Sequence, residues 1–220
     1  MSRPRVLVNF APSLDGKIAP AHKTRPFVMS REQEDPKRMK ALRERADAVI
    51  IGASNLRADD PDLAPARLRV VVTRAGDGVR PEARMFDETP GGEAVVAHTA
   101  HMTRETRAAL GARATLLELG TTQVDVAGLL GWLASERGCS VVLCEGGGVL
   151  TAQLFAAHAV DELYLTLVPR ILGGSSAPTM VEGDGFAPDT IPFARLVQHE
   201  RVGDELYLVY AFDWPATPAQ

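Results

Sequence analysis

Between Cys144 and Leu150 the chain reads CEGGGVL, after a strand-like apolar run at 140–143 and before a helix-like run at 151–157. Three glycines at such a junction let the backbone approach a ligand with no side chain in the way. The N–H groups and the dipole of the following helix then favour an anion at the same place. The pattern is typical of a phosphate-binding turn in a nucleotide-binding α/β protein, and an ordinary tight turn is the alternative.

The bulk composition describes a chain that can bury a large core. It has 220 residues, of which 45% are hydrophobic, and a formal net charge of −4. This balance argues against a nucleic-acid or membrane-surface partner. No signal pattern or membrane-length apolar run is apparent, and Cys139 and Cys144 are expected to be reduced, so a cytoplasmic location is expected. We expect one domain over residues 1–212 and a frayed tail over 213–220.

Strand and helix patterns alternate along the chain. Strands are predicted at 6–10, 48–52, 68–73, 94–97, 114–119, 140–144 and 161–168, and helices at 36–46, about 103–110 and from Val126 to Leu133. Residues 193–200 and 205–212 predict a hairpin that turns at Gly203-Asp204. The sequence therefore predicts an α/β fold with a mostly parallel central sheet, helices on both faces and a C-terminal antiparallel hairpin.

The first helix has two candidate starts. Ser30 with Gln33 fits a capping box, and Asp35 followed by Pro36 fits an N-cap with proline at the first helical position. Because proline disturbs a helix interior, we expect a turn at Ser30 and the main helix from Pro36.

Five segments, read with the glycine turn, carry a resemblance to a known family. They are Ala11–Ala19 (APSLDGKIA), Leu42–Gly52 (LRERADAVIIG), Ala58–Leu63 (ADDPDL), Val160–Leu163 (VDEL) and Val168–Gly174 (VPRILGG). The glycine turn and the segment after it resemble the dihydrofolate reductase fold. The whole set resembles the riboflavin-biosynthesis pyrimidine reductases, the family of the RibD C-terminal domain, and implies a dihydrofolate-reductase-like three-layer α/β/α architecture.

The resemblance implies an activity and a cofactor. Members of this family use NADPH to reduce 5-amino-6-(5-phosphoribosylamino)uracil to its ribitylamino product, by hydride transfer to C1′ of the opened sugar, with neither a metal nor a covalent nucleophile. The positions that match cofactor contacts are Ala11, Phe27, Asn55, Asp59, Thr73, Arg74, Gly146, Gly147, Gly148, Val149 and Leu150. Thr73 and Arg74 are expected at the adenosine 2′-phosphate, which favours NADPH over NADH, and the Gly146–Gly147 peptide is expected to be cis.

The resemblance also implies a substrate site. The matching positions are Ser13, Arg43, Leu63, Arg67 and Glu145. The forked donors of Arg43 and Arg67 suit a phosphate. Glu145 and Asp15 are the candidate catalytic residues: Glu145 would accept a bond from a pyrimidine N–H or assist sugar opening, whereas the main task of Asp15 is to hold its loop.

Structural roles stay open for several of these residues. Phe27 fits a loop anchor, Asp59 a helix or turn cap, and Leu63 ordinary packing. Arg43 fits a solvated helix face, and Glu145 a turn contact, since a buried carboxylate must be paired.

Two other functions remain as alternatives. A pterin or dihydrofolate reductase of the same fold would need a carboxylate near the first helix, where Glu32, Glu34 and Asp35 lie. A non-catalytic nucleotide-binding regulator is the other. His98 and His101 lack a third nearby ligand, so a loop or surface role is favoured over a metal site.

The C-terminal hairpin suggests an assembly. Residues 206–212 form an apolar, aromatic strand that would need a cover if it were an exposed edge. We therefore expect a homodimer built on residues 161–168 and 193–212, which family resemblance also indicates; burial within one subunit is the alternative.

Overall fold

Strands and helices alternate along most of the chain, and the computed structural model describes residues 3–22, 27–87 and 92–214. In these ranges the strands are β1 (Arg5–Phe10), β2 (Ala48–Gly52), β3 (Leu68–Val72), β4 (Glu93–His98), β5 (Thr115–Glu118), β6 (Val141–Cys144), β7 (Glu162–Leu167), β8 (Ala194–Val202) and β9 (Glu205–Phe212). The helices are α1 (Glu34–Arg45), α2 (Ala53–Asp59), α3 (Arg104–Gly111), α4 (Val126–Ser135) and α5 (Gly148–Ala156).

A single nine-stranded sheet, in the order β5-β4-β3-β2-β6-β1-β7-β9-β8, organises the fold. Strands β1 to β7 pair in parallel. Strand β9 pairs antiparallel with both β7 and β8. The predicted fold class, a mostly parallel sheet with a C-terminal antiparallel hairpin, is confirmed. Because β9 lies inside the sheet, the exposed edge is β8 and not the 206–212 strand.

Helices cover both faces of the sheet, because successive residues of a strand point to opposite sides. On β1, Val6 joins the core that holds Leu129 of α4 and Leu154 of α5. Its neighbour Leu7 joins the second core, with Leu42 of α1. Strands that are buried on both faces read as continuous apolar runs, which is why the sequence revealed them.

Helix α1 begins two residues earlier than predicted, at Glu34, and Gln33 stands at its N-cap without a side-chain bond. Pro36 is compatible with this start because the first-turn N–H groups have no intrahelical acceptor. Ser30 is not a cap; its hydroxyl donates to Glu205 Oε2 at 2.7 Å. The segment before α1 is therefore held by the distant strand β9.

Two further helices, α2 and α5, differ from the sequence prediction. Helix α2 follows β2 without a loop and was not predicted, since its seven residues are too few to show a helical period. Helix α5 starts at Gly148, three residues before the predicted start, so the last glycine of the turn is its first residue.

The chain remains packed beyond the predicted domain end. Trp214 Nε1 donates to Val160 O at 2.6 Å, and its ring stacks on those of Phe212 and His158. Trp214 therefore does not belong to a frayed tail. Residues 215–220 lie outside the described residues, so a frayed tail stays a prediction for them.

Both cysteines are buried and unbridged. Burial raises the pKa of each thiol, Cys139 and Cys144, to about 11. Neither is therefore poised as a thiolate nucleophile. Within the described ranges, no helix combines the length and apolarity that crossing a bilayer requires.

Glu205 yields a prediction about stability. It is 3% exposed and accepts hydrogen bonds from Ser30 Oγ, Arg31 N at 3.0 Å and Tyr207 Oη at 3.0 Å. Burial raises the pKa of Glu205, but these bonds more than offset it, so the pKa lies below its usual 4.5. A depressed pKa in the folded state adds stability above the unfolded-state value, and that stability is lost as the pH falls through the folded-state pKa.

We therefore expect Glu205→Gln to lower the free energy of unfolding by about 1–3 kcal/mol at neutral pH. The difference from the wild type should shrink steadily below about pH 4.5, in urea titrations at several pH values. Glu200→Gln, on the exposed strand β8, serves as the control. A difference that stays constant down to pH 3 would contradict this account of Glu205.

Candidate active site

The candidate site lies where β2, β6, β1 and β7 end side by side. These neighbouring parallel strands end at Gly52, Cys144, Phe10 and Leu167. Because parallel strands share one carboxyl edge, the segments that follow them meet there, as expected for ligand sites of open α/β sheets. The glycine turn, the 11–17 loop, α2 and the 168–182 segment all belong to this edge.

The glycine turn has the backbone conformation that only glycine adopts readily. Gly146 and Gly147 have φ values of +100° and +80°, and Gly146 O accepts from Gly52 N at 3.0 Å. A Cβ atom at Gly147 would make only an ordinary contact with Gly52 Cα at 3.8 Å, so the positive φ, and not crowding, is what favours glycine at this residue. The Gly146–Gly147 peptide is trans, which corrects the cis expectation.

Helix α5 presents its first N–H groups next to this turn. The first intrahelical bond runs from Thr151 N to Gly147 O at 3.0 Å. The N–H groups of Gly148, Val149 and Leu150 precede it and are therefore the donors of the helix N-terminus. The Leu150 side chain is buried in the core, so only its backbone can contact a ligand, whereas Val149 is exposed.

The 179–182 segment covers the start of α5. Glu182 N donates to Gly148 O at 3.1 Å, and a Cβ atom at Gly148 would lie 2.5 Å from Thr179 O. Glycine is therefore required at residue 148 by packing, and not only by ligand access. Sequence reasoning missed this contact because the segment has no regular pattern.

Glu145 is held in a buried ion pair with Arg43. Arg43 Nε donates to Glu145 Oε1 at 2.6 Å and Nη2 to Oε2 at 2.7 Å. Their side chains are 11% and 9% exposed. Asn55 Nδ2 donates to the Glu145 backbone oxygen at 2.7 Å. The carboxylate is thus fixed in direction, and each oxygen keeps a lone pair for another donor.

Arg43 is bound by protein groups on its remaining side as well. Its Nη1 donates to Ala64 O at 3.2 Å and lies 3.7 Å from Asp62 Oδ1. Burial lowers the pKa of Arg43, but the hydrogen bonds and charge of Glu145 and the charge of Asp62 outweigh it and raise the pKa. Arg43 therefore does not stand on a solvated helix face.

Asp15 holds two loops together. Its carboxylate accepts from Ser13 Oγ at 2.6 Å, Leu172 N at 3.1 Å and Gly173 N at 2.7 Å. The Ser13 hydrogen bond, followed by the two backbone bonds, lowers the pKa of Asp15 to about 2. Such a carboxylate has no proton to give near neutral pH. Of the two catalytic candidates, Asp15 is a loop anchor, and Glu145 is a carboxylate held in a fixed direction at the carboxyl edge of the sheet.

Thr73 and Arg74 follow β3, one strand beyond β2. Thr73 Oγ1 accepts from Gly76 N at 3.0 Å and so shapes the turn. Arg74 is exposed, and its carbonyl accepts from the Thr99 N–H and hydroxyl. The Arg74 side chain is thus carried on a fixed backbone beside the site.

The remaining predicted residues are placed unequally. Ala11 follows β1 directly, and Asp59 is exposed at the end of α2. Phe27 packs under the Arg170 guanidinium, 5.4 Å from ring centre to Cζ. Leu63 is fully buried and belongs to the core around Leu42, so the structure supports packing and not a pocket wall.

Arg67 is not part of the site. It precedes β3 and so lies at the amino edge of the sheet, opposite the glycine turn. Its Nη2 donates to Arg137 O at 2.9 Å. The short segment after Leu63 misled the sequence alignment. The expectation that Arg67 binds substrate is corrected.

His98 and His101 do not gather with other ligands; within the described ranges no cluster of three His, Cys, Asp or Glu residues could hold a metal ion. His98 is buried, with Nδ1 2.8 Å from Thr99 O.

Among the carboxylates near the first helix, Asp35 is hydrogen-bonded to the Thr166 side chain, and burial raises the pKa of Asp35.

Fold and site together define the class: an α/β protein that sets a glycine-lined helix N-terminus beside a fixed carboxylate at the carboxyl edge of its sheet. The chain belongs to the RibD C-terminal domain family, whose model matches residues 4–208. A curated relative from Methanothermobacter thermautotrophicus, named 2,5-diamino-6-ribosylamino-4(3H)-pyrimidinone 5′-phosphate reductase, is 35% identical over 84% of this chain and 86% of its own.

Solved structures share the fold. RibD of Acinetobacter baumannii superposes with a TM-score of 0.77 at 22% identity, over 96% of this chain. This chain spans 58% of the length of that RibD. Dihydrofolate reductase from Enterococcus faecalis, solved with NADP(H), gives a TM-score of 0.51 at 15% identity, over 95% of this chain and 96% of its own.

These comparisons confirm the expected family and the dihydrofolate-reductase-like fold. They also confirm a reductase of riboflavin biosynthesis over the pterin reductase and the non-catalytic regulator.

Proposed function

We propose that this chain uses NADPH to reduce 5-amino-6-(5-phosphoribosylamino)uracil to its ribitylamino product. The observation that carries the proposal is the juxtaposition of Glu145, fixed by Arg43, with the glycine turn and the N-terminus of α5. The relative from M. thermautotrophicus is named for a close analogue, which differs from this uracil at ring position 2. That analogue is the second candidate substrate.

The cofactor side of the proposal rests on the backbone. The N–H groups of Gly148, Val149 and Leu150, with the helix dipole behind them, suit the pyrophosphate. The lack of side chains at Gly146, Gly147 and Gly148 lets that group approach the backbone. Ala11, Phe27, Asn55 and Asp59 are proposed as the neighbouring cofactor contacts. NADPH held there would supply the hydride for C1′ of the opened sugar, and the accompanying proton would come from solvent.

The substrate side rests on Glu145. Its free lone pairs accept from N–H groups on the pyrimidine and so fix the ring relative to the glycine turn. Ser13 supports this arrangement indirectly, because its hydroxyl holds Asp15 and thereby the 168–173 segment.

Oxidation of NADPH, followed at 340 nm, tests the function. The riboflavin precursor, its diamino analogue and dihydrofolate are offered separately to the same preparation. We expect turnover with one or both pyrimidines and none with dihydrofolate. Glu145→Gln should retain NADPH binding and lose at least about tenfold in kcat/KM, since it removes the charged acceptor. Turnover confined to dihydrofolate would refute the proposal.

Arg74 generates a prediction about cofactor choice. We propose that its exposed guanidinium, carried by the turn that Thr73 shapes, contacts the adenosine 2′-phosphate. Loss of such a charge-assisted contact costs on the order of 1.5–3 kcal/mol. Arg74→Ala should therefore weaken NADPH binding by about tenfold or more and leave NADH binding unchanged, by fluorescence titration. Arg57→Ala is the matched control, and an equal loss for both cofactors would remove this role.

We also propose a homodimer through the C-terminal hairpin. On the open edge of the sheet, Phe193 is 91% exposed, and Leu196 and Val197 are half exposed. An uncovered edge of this length and apolarity invites pairing with a second copy. Leu196→Asp should shift the protein to monomers in sedimentation at micromolar concentration, whereas Thr121→Asp should not. A wild-type protein that sediments as a monomer would refute the dimer.

The domain organisation and the cellular location of the chain are also proposals. We propose that residues 1–214 act as one reductase domain in the cytoplasm, two residues beyond the expected end, because Trp214 packs against the domain. The unbridged, buried cysteines are compatible with a reducing compartment. Cell fractionation with an antibody to the chain tests the location, and recovery outside the cytoplasmic fraction would refute it.

A further inference from the structure

Arg170 follows β7 and reaches the segment that precedes α1. Its Nη1 donates to Val28 O at 3.3 Å, and its Cζ lies 5.4 Å from the centre of the Phe27 ring. A guanidinium at this distance is attracted by the face of an aromatic ring. In the part of the chain that the structure describes, no carboxylate forms an ion pair with Arg170. The contacts with Phe27 and Val28 therefore give this side chain its direction.

The backbone of Arg170 is itself held by the loop that follows β1. Leu14 N donates to Arg170 O at 2.9 Å. Two residues further on, the Asp15 carboxylate accepts from the N–H groups of Leu172 and Gly173. Because this backbone is fixed in advance, Arg170 can hold Phe27 in one place at a lower cost in entropy.

The segment 27–31 is held at its other end by β9. Ser30 Oγ and Arg31 N both donate to the Glu205 carboxylate, and Ser30 is 5% exposed. Val28, by contrast, is 75% exposed. Phe27 thus lies on the less buried end of this segment, and Arg170 supplies the contacts that hold that end.

The strand order places Phe27 at one end of the proposed cofactor site. Neighbouring strands run β3, β2, β6, β1 and β7 across the sheet. The proposed contact with the adenosine 2′-phosphate follows β3, and the proposed pyrophosphate site follows β6. In the same direction, the nicotinamide end of the cofactor falls beside the ends of β1 and β7, which Ala11 and Arg170 follow. Phe27 keeps part of its surface exposed there, so its ring can pack on the nicotinamide.

We propose that Arg170 is a positioning residue that acts through Phe27, by holding its ring where the nicotinamide binds. This inference rests on the proposed function, which assigns Phe27 to the cofactor. It gives Arg170 a task at one end of the cofactor and not at its phosphates. It also gives the Asp15 anchor an indirect part in cofactor binding, through the backbone of Arg170.

Two ligands that differ only at the nicotinamide test this task. NADPH has the ring, whereas 2′-phospho-ADP-ribose has every phosphate and no nicotinamide. Both are titrated by calorimetry in the absence of a pyrimidine. Arg170→Met keeps the length of the side chain and removes its charge and its donors. It should raise the dissociation constant of NADPH about three- to fivefold and leave that of 2′-phospho-ADP-ribose unchanged.

A double-mutant cycle tests whether Arg170 acts through Phe27. Phe27→Leu should weaken NADPH alone, and on that background Arg170→Met should change the NADPH dissociation constant by less than about 1.5-fold. Arg170→Lys keeps a cation and a donor for Val28 O, and should bind NADPH within about twofold of the wild type. Arg137→Met is the matched control, since Arg137 lies over another ring, 4.3 Å from that of Trp132. It should leave both dissociation constants unchanged.

Three results would overturn the inference. The first is an equal loss for NADPH and 2′-phospho-ADP-ribose in Arg170→Met. The second is full additivity of Arg170→Met and Phe27→Leu, and the third is wild-type affinity of Arg170→Met for NADPH. The wild-type rate with each pyrimidine tests the proposed function, and ratios between variants test Arg170, so the two fail separately.

Discussion

Parallel pairing of β6 between β2 and β1 is the constraint on which the site depends. Cys144 is in register with Ile50 on one side and Val8 on the other. The three strands therefore end almost level, and the residues that follow them lie close together. Glu145 N bonds to Ile50 O, and Gly146 O to Gly52 N, which extends the ladder into the turn. The Arg43–Glu145 ion pair and the placement of the α5 N-terminus depend on this backbone arrangement.

Much of the fold was predictable because its signals are local. Apolar runs such as Ala48–Gly52 mark strands that are buried on both faces, and Asp125 caps α4 as a short polar residue before an apolar helix should. The glycine turn was predictable for the same reason, since strand, glycines and helix are contiguous.

The site was less predictable because its decisive contacts join distant segments. Arg43 and Glu145 are 102 residues apart in sequence, and nothing local says that they form a pair. The same applies to Ser30 and Glu205, whose hydrogen bond uses the hydroxyl that the less favoured capping-box alternative required. Arg67 shows the opposite error: a residue type suited to phosphate, in a shortened segment, belongs to the wrong edge of the sheet. Residue chemistry identified the candidate site residues, and the strand order was needed to decide which of them lie at the carboxyl edge of the sheet.

The position of β1 between β6 and β7 has a consequence for how the chain folds. Its two partners, β6 and β7, begin at Val141 and Glu162, more than 130 residues after Arg5. During synthesis, the apolar strand β1 therefore has no strand to pair with until β6 and β7 have been synthesised. Such non-local pairing slows folding and leaves unpaired backbone open to misassociation in the meantime. Of the strands with two parallel partners, β1 is therefore the last to gain both of them.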